Sequence, residues 1–241
     1  MSKSNISITV ILSVYNSEDT INESVESILN QSFSDFELLI MDDGSTDNTS
    51  KIISNLDKEN SCIKSYRNKK NIGLTKSLNI LINEARGEFI ARQDADDVSY
   101  RDRFQNQIKF ISENNLDGST TRAKIKNSNR VIPGLSFYVP SNYLIKYKNP
   151  FVHGSLLIKK SKLLEVNCYN ENFYYAQDYK LMKDLINNKS KVKILNKVLY
   201  ELNMEDNISK TFQKEQQYYA NCVKKDIVPN SIWKLTHDLF K

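Results

Sequence analysis

Apolar positions change period repeatedly over the first 120 residues, and the changes lay out strands alternating with helices. From Ile6 to Tyr15 the run Ile8, Val10, Ile11, Leu12 and Val14 is nearly continuous, which predicts a strand buried on both faces. Asn16-Ser17-Glu18-Asp19 supplies helix-starting side chains, and Ile21, Val25, Ile28 and Leu29 then recur on one helical face. Phe36 to Met41 is the next predicted strand. The acidic turn Asp42 to Asp47 leads into a helix marked by Ile52, Ile53 and Leu56, and a third strand is expected near Ile63 to Tyr66. After the turn Asn68 to Gly73, a helix carries Leu74, Leu78, Leu81, Ile82 and Ala85, with Gly87 as its expected stop. Phe89 to Arg92 is a fourth strand, and Phe104, Ile108 and Ile111 mark one more helix.

The second half is harder to read. From Gly118 to about Ser155 the pattern is polar and is expected to be loop-rich, the place where specificity usually sits. Beyond it Leu156 to Ile158 predicts a strand, Tyr179, Met182, Leu185 and Ile186 a helix, and Val192 to Leu202 one or two closing strands. Strands alternating with helices of this length imply an α/β fold with a doubly wound, mostly parallel sheet. In such sheets ligands bind outside the carboxyl ends of the strands.

Those ends carry the candidate chemistry. Asp42-Asp43-Gly44-Ser45-Thr46-Asp47 follows the second strand, and Asp94, Asp96 and Asp97 fall within four residues after the fourth. An extended segment turns alternate side chains to one side, so Asp94 and Asp96 can share a hard divalent cation. Taken alone, the Asp94 to Asp97 cluster reads more readily as a solvated turn or a helix cap, and the second cluster at the end of another strand is what shifts the balance. Phosphate-binding glycine loops of the Gly-x-Gly-x-x-Gly and Gly-x-x-x-x-Gly-Lys types are missing, so a carboxylate-held cation is the remaining device for a diphosphate.

Composition adds bounds. The few Pro and Gly residues argue for one unit, and three scattered cysteines form neither a disulfide framework nor a zinc spacing, which suits a reducing compartment. A cytoplasmic location is expected, since neither a signal-peptide core nor a spanning run is visible. A net charge of +5 does not demand nucleic acid. Six Lys lie between Lys210 and Lys241, interleaved with Ile232, Trp233, Leu235, Leu239 and Phe240, so this tail is a candidate for peripheral contact with a membrane, or for packing on its own domain.

Val14-Tyr15-Asn16, Asp42 to Asp47, Asn71-Ile72-Gly73-Leu74, Ala85-Arg86-Gly87-Glu88-Phe89-Ile90-Ala91 and Asp94-Ala95-Asp96-Asp97, in this order, resemble the inverting family-two glycosyltransferases of the GT-A fold. Weaker similarity continues through Asn149 to His153 and Ala176-Gln177-Asp178-Tyr179. The resemblance implies one domain: a nucleotide-sugar-binding half over 1–117, an acceptor-side half over 118–209 and a basic tail over 210–241. It implies a UDP-sugar donor, with Ser13, Tyr15 and Glu18 about the base and Asp43 accepting the uracil imino proton. Asp96 becomes the principal ligand of Mg or Mn, Asp94 a supporting ligand or ribose contact, and Asp97 the cap of a helix near Tyr100. Asp178 becomes the catalytic base, with N-capping as its competing role. The acceptor is expected to be a growing surface glycan such as lipopolysaccharide, O-antigen or capsule.

Two departures stand out. Gln177 replaces the family's usual Glu, and the segment from Tyr200 to Ser209 lacks its frequent Arg and His, leaving Asn203 or Glu205 as substitutes. They motivate a second reading, a catalytically degenerate nucleotide-binding scaffold subunit. A sugar-nucleotide-forming nucleotidyltransferase would need a Gly-rich, Lys-bearing loop where Asn16 to Asp19 stand. His153 is expected to be structural, and His237 has no assigned role.

Overall fold

A computed structural model describes residues 7–204 and 212–230. Glu205, His237 and the apolar positions from Ile232 to Phe240 lie outside the described residues. Four parallel strands form the amino-terminal part of the sheet: β1 (Ile8–Val14), β2 (Phe36–Asp42), β3 (Ile63–Arg67) and β4 (Phe89–Arg92), ordered β3-β2-β1-β4. Helices α1 (Ile21–Leu29), α2 (Thr49–Glu59) and α3 (Leu74–Glu84) make the crossovers.

All seven residues of β1 are buried, because both faces of the sheet are covered. Val10, Leu12, Leu38 and Ile40 pack with Ile21, Val25 and Ile28 of α1 and Ile53 of α2. On the opposite face Ile11, Leu39 and Met41 pack with Leu78, Leu81 and Ile82 of α3. Burying each such side chain contributes roughly 1.5–3 kcal/mol, and the strand ends are thereby held firmly enough to carry a site.

The sheet continues through the second half. Two-residue β5 (Val98–Ser99) leads to α4 (Arg103–Glu113), then to β6 (Gly118–Ile125) and β7 (Val131–Ile132). A short helix α5 (Ser141–Leu144), β8 (Leu157–Lys159), α6 (Lys160–Glu165), α7 (Gln177–Asn187), β9 (Val192–Leu202) and α8 (Gln213–Lys225) follow. The path runs β4-β8-β6-β9-β5, with β7 paired to β6. Only β8 and β5 run against the rest of this path, so the mostly parallel, doubly wound expectation holds.

Local expectations need correction at two points. Strand β6 occupies the start of the stretch expected to be loop-rich, and its polar Ser119, Thr120 and Thr121 are fully buried. Internal hydrogen bonds offset the burial at Ser119 and Thr121: Gln107 Nε2 donates to the Ser119 carbonyl at 3.0 Å and the Thr121 amide to Ser155 Oγ at 3.0 Å, while Thr120 Oγ1 is buried without a partner among the described residues. Gly87 is not the stop of α3, which ends at Glu84. It lies against the backbone at Thr9, where any Cβ would collide with the Thr9 amide, and its N–H donates to Thr9 Oγ1 at 2.8 Å.

Helix α8 is seated on α7 through a buried cation. Lys183 Nζ donates to the Val223 carbonyl at 2.6 Å and pairs with Asp226 at 2.7 Å. Among the described residues no helix is long and apolar enough to cross a membrane.

Candidate active site

Where β1 and β2 end, two loops are laced together. Asn16 adopts a left-handed conformation (φ 49°), so its amide donates to Ser45 Oγ at 3.0 Å and its Oδ1 accepts from the Thr46 amide at 2.9 Å. Glu18 is committed to the same junction, accepting from the Asn48 amide at 2.9 Å and from Asn48 Nδ2 at 2.7 Å. It therefore holds the entrance to α2 rather than pointing free at a ligand. Asp47 accepts from the Thr49 and Glu18 amides; partial burial works against its charge, but these bonds outweigh it and lower its pKa. Ser13 is buried, whereas Tyr15 stands 46% exposed.

Asp43 is almost wholly buried. Its Oδ1 accepts from Asn68 Nδ2 at 2.8 Å and from the Ile72 amide at 3.0 Å, while Oδ2 accepts from the Gly73 amide at 2.8 Å. A carboxylate has about four acceptor directions, so one remains for an outside N–H. The loop after it closes through Gly44 (φ 78°), where a Cβ would sit 2.6 Å from the Lys70 carbonyl carbon. Asp43 thus sits at the junction of two packed loops.

The second acidic cluster rests on buried cations. Arg92, 1% exposed at the end of β4, pairs with Asp94 Oδ1 at 2.5 Å, and the Asp94 amide donates to Tyr200 Oη at 3.3 Å. Behind it Arg103, fully buried at the start of α4, donates to the Arg92 carbonyl at 2.7 Å and to Ser99 Oγ at 2.5 Å, and stacks over Tyr200 at 5.2 Å. Burial lowers its pKa to about 10, which leaves it charged. Gly154 closes the other side: a Cβ there would lie 2.8 Å from Asp94 Oδ2 and collide with the Tyr200 hydroxyl.

Asp96 lies at the exposed rim, yet surrounding protein and the neighbouring Asp94 raise its pKa to about 6. Asp97 is buried and does not cap a helix. Its Oδ1 accepts from the Asn203 amide at 2.7 Å, and α4 begins only at Arg103, after Asp102. Burial first, then Asp94 and Asp96, push its pKa well above the usual range. Its Oδ2 is buried without a hydrogen-bond partner among the described residues. Three carboxylates are thus gathered near Arg92, an arrangement that would gain from added positive charge. No group of three or more His, Cys, Asp or Glu among the described residues forms a ready metal cage.

Asp178 comes from the other half, in the first turn of α7. It is not the helix cap, a position held by Ala176 in left-handed conformation (φ 53°). Instead its Oδ2 accepts from Asn149 Nδ2 at 2.8 Å. Between the halves His153 Nε2 meets Tyr169 Oη at 2.7 Å. Burial, then Arg92, hold the His153 pKa below its ordinary value, while Asp178 and Asp94 pull it upward. The buried pair of His153 and Tyr169 thus feels Asp94 from one half of the fold and Asp178 from the other.

The model of the family described as Glycosyl transferase family 2 matches residues 9–184, spanning both acidic loops and Asp178. The chain belongs to that family. The O-antigen biosynthesis glycosyltransferase WbnJ of Escherichia coli is 29% identical over 243 residues, covering 95% of this chain and 94% of WbnJ. Elsewhere the match spans less, as with a Bacillus subtilis (strain 168) relative, EpsE, at 34% identity over 64% of this chain and 56% of its own length. The solved structure of S. aureus TarS 1-349 with UDP-GlcNAc superposes with a TM-score of 0.72 at 24% identity, covering 86% of this chain and 61% of that one. The mannosyltransferase PcManGT of Pyrobaculum calidifontis, solved with GDP-Man and Mn2+, reaches 0.73 at 17% identity, covering 88% and 61%. These likenesses establish the GT-A fold.

In this family-two chain, Arg92, Arg103, Tyr200 and Gly154 were not readable as site residues from sequence. An Arg two residues before the acidic cluster was the one available signal, since an Arg ending a largely buried strand needs an anion.

Proposed function

We propose that the chain moves a hexose or N-acetylhexosamine from a UDP-sugar to a hydroxyl of a growing surface glycan, by direct displacement with inversion. What supports this reading is that Asp178 of one half and Asp94, paired with Arg92, of the other both act on the buried His153, which would set the proposed base and the proposed cation ligands on either side of one site. Tyr15 would stack on the base and Asp43 would use its remaining acceptor direction for the imino N–H, with Ser13 and Glu18 shaping that end. The near full-length match to WbnJ supports a bacterial surface polysaccharide as product, and the UDP-GlcNAc bound by TarS supports a uridine donor.

The acceptor O–H gives its proton to the Asp178 carboxylate as its oxygen bonds to the anomeric carbon, and the bond from that carbon to the diphosphate breaks with its electron pair leaving on UDP. Asn149 holds Asp178 in orientation for that transfer. Asp96, with Asp94 in support, would hold Mg or Mn, whose charge offsets that of the departing diphosphate. Because Asp94 is already paired with Arg92, the exposed Asp96 would be the better direct ligand, and Asp94 would support it or contact the ribose. Such work fits a cytoplasmic enzyme acting near the inner face of a membrane.

A panel of UDP-glucose, UDP-galactose and their N-acetyl forms, each with Mg, Mn or chelator, tests the reading by UDP release. Cation-dependent release from one donor is expected. Tight UDP binding with no release from any donor, even with lipid-linked acceptors present, would instead fit a scaffold subunit.

A further inference from the structure

Between β7 and β8 the chain makes an excursion whose outer face has no covering element among the described residues. Leu135 is 88% exposed and Tyr138 76%, and on and just after α5 Tyr143 and Tyr147 are 55% and 56% exposed. The Tyr143 and Tyr147 rings stand together, centroids 5.4 Å apart, and exposed Lys146 and Lys148 flank Tyr147. The excursion is nevertheless well anchored from within. Ile145 is buried in the core, its carbonyl accepts from Tyr179 Oη at 2.7 Å, and Arg122 reaches back to the Pro133 carbonyl at 3.3 Å. Exposed apolar side chains on an anchored segment mark a docking surface.

Charge identifies the partner. From Pro133 to Leu156, the excursion itself, there is no Asp or Glu, and its two Lys, Lys146 and Lys148, are both exposed. An apolar tip with Tyr at its flanks and Lys around them matches the depth profile of a lipid interface, where Tyr rings lie at headgroup level and Lys meets anionic phosphates. A soluble anionic glycan would account for the Lys and Tyr side chains, but not for an almost fully exposed Leu135, which neither stacks on a sugar nor bonds it.

We infer that the face formed by Leu135, Tyr138, Tyr143, Lys146, Tyr147 and Lys148 docks on an anionic lipid bilayer, separately from the carboxy-terminal tail. Its anchor leads directly to the proposed base: Asn149, next after Lys148, is hydrogen-bonded to Asp178. A membrane-tethered acceptor would therefore be presented at the acceptor side of the proposed site. Lipid docking is read without turnover, so it stands or falls independently of the transferase reading.

Co-sedimentation of the full chain with vesicles of phosphatidylcholine alone, or of phosphatidylcholine with phosphatidylglycerol, tests this. Binding to the anionic vesicles is expected. Lys146→Ser with Lys148→Ser should weaken it about 30-fold, at about 1 kcal/mol per Lys. Leu135→Ser with Tyr138→Ser should weaken it at least about tenfold, with UDP binding unchanged in both. No binding by the unaltered chain would overturn the inference. So would vesicle binding that survives both double variants yet is lost in Lys234→Ser with Lys241→Ser, or variants that keep vesicle binding while losing a soluble phosphate-bearing glycan.

Discussion

Replacing Gly154 by Ala tests the packing beneath the acidic cluster. The new Cβ would collide with the Tyr200 hydroxyl and stand 2.8 Å from both Tyr200 Cζ and Asp94 Oδ2. Neither backbone nor ring has room to yield. Residue 155 is tied down by the Ser155 carbonyl accepting from Gln107 Nε2 at 3.0 Å and by Ser155 Oγ accepting from the Thr121 amide at 3.0 Å, while Tyr200 is fully buried. The part able to move is the Asp94 carboxylate, 31% exposed, and its movement sacrifices the bond to Arg92. Overpacking of this kind costs about 1–3 kcal/mol, which for a domain of this size lowers Tm by roughly 2–12 °C. Displacing a positioning carboxylate by about 1 Å should lower kcat/KM about 100-fold. Thermal unfolding and donor-dependent UDP release measure the two effects separately. A variant with unchanged Tm and turnover within about twofold of the original would refute the contact between Gly154, Tyr200 and Asp94.

Asn149→Ala should lower kcat roughly tenfold while leaving the donor KM nearly unchanged, because it frees the proposed base and touches nothing at the nucleotide end. Asp43→Asn should destabilise the protein by about 1–3 kcal/mol, since the amide nitrogen must face a backbone N–H or Asn68 Nδ2, and should also weaken UDP binding; denaturant unfolding and calorimetry read the two losses. In cation-free protein the pKa of Asp96 is raised to about 6, so the folded state holds that proton more tightly than the unfolded chain does. The stability it contributes is present below the ordinary value near 4 and is lost as pH rises through about 6. Tm measured across this window with a chelator should therefore fall, and Asp96→Asn should flatten the fall; a slope unchanged in the variant would assign the titration elsewhere.

How much of this was legible in the chain depended on what hides each residue. Strands β1, β2 and β4 were readable because both faces of the sheet are covered by helices, so burial demanded nearly continuous Ile, Val and Leu. Their acidic ends were readable because turns carry their chemistry in local spacing. Strand β6 was not, since the burial of Ser119 and Thr121 is met by hydrogen bonds to Gln107 and Ser155 outside the strand, and no hydrophobic period records that. Arg92 and Arg103 were hidden for a related reason: buried cations are tolerated here because Asp94, Gln93, Ser99, Gln107, the Arg92 carbonyl and the Tyr200 ring, drawn from β4, β5, α4 and β9 and their ends, surround them. Asp97 looked like a helix cap because the strand β9 that brings Asn203 onto it is 106 residues away. Glu18 sat in the right loop, but only the fold shows that Asn48 occupies it.

The division of labour between the two halves is tested most directly by Asp178→Asn in parallel with Asp96→Ala, measuring UDP binding with and without Mn alongside single-turnover transfer from the donor that the panel identifies. Asp178→Asn should retain UDP binding and lose transfer by about 10²–10⁴-fold, whereas Asp96→Ala should lose the cation-dependent part of UDP binding. Near-normal transfer by Asp178→Asn would contradict a site shared between Asp178 and the acidic cluster as the seat of the reaction.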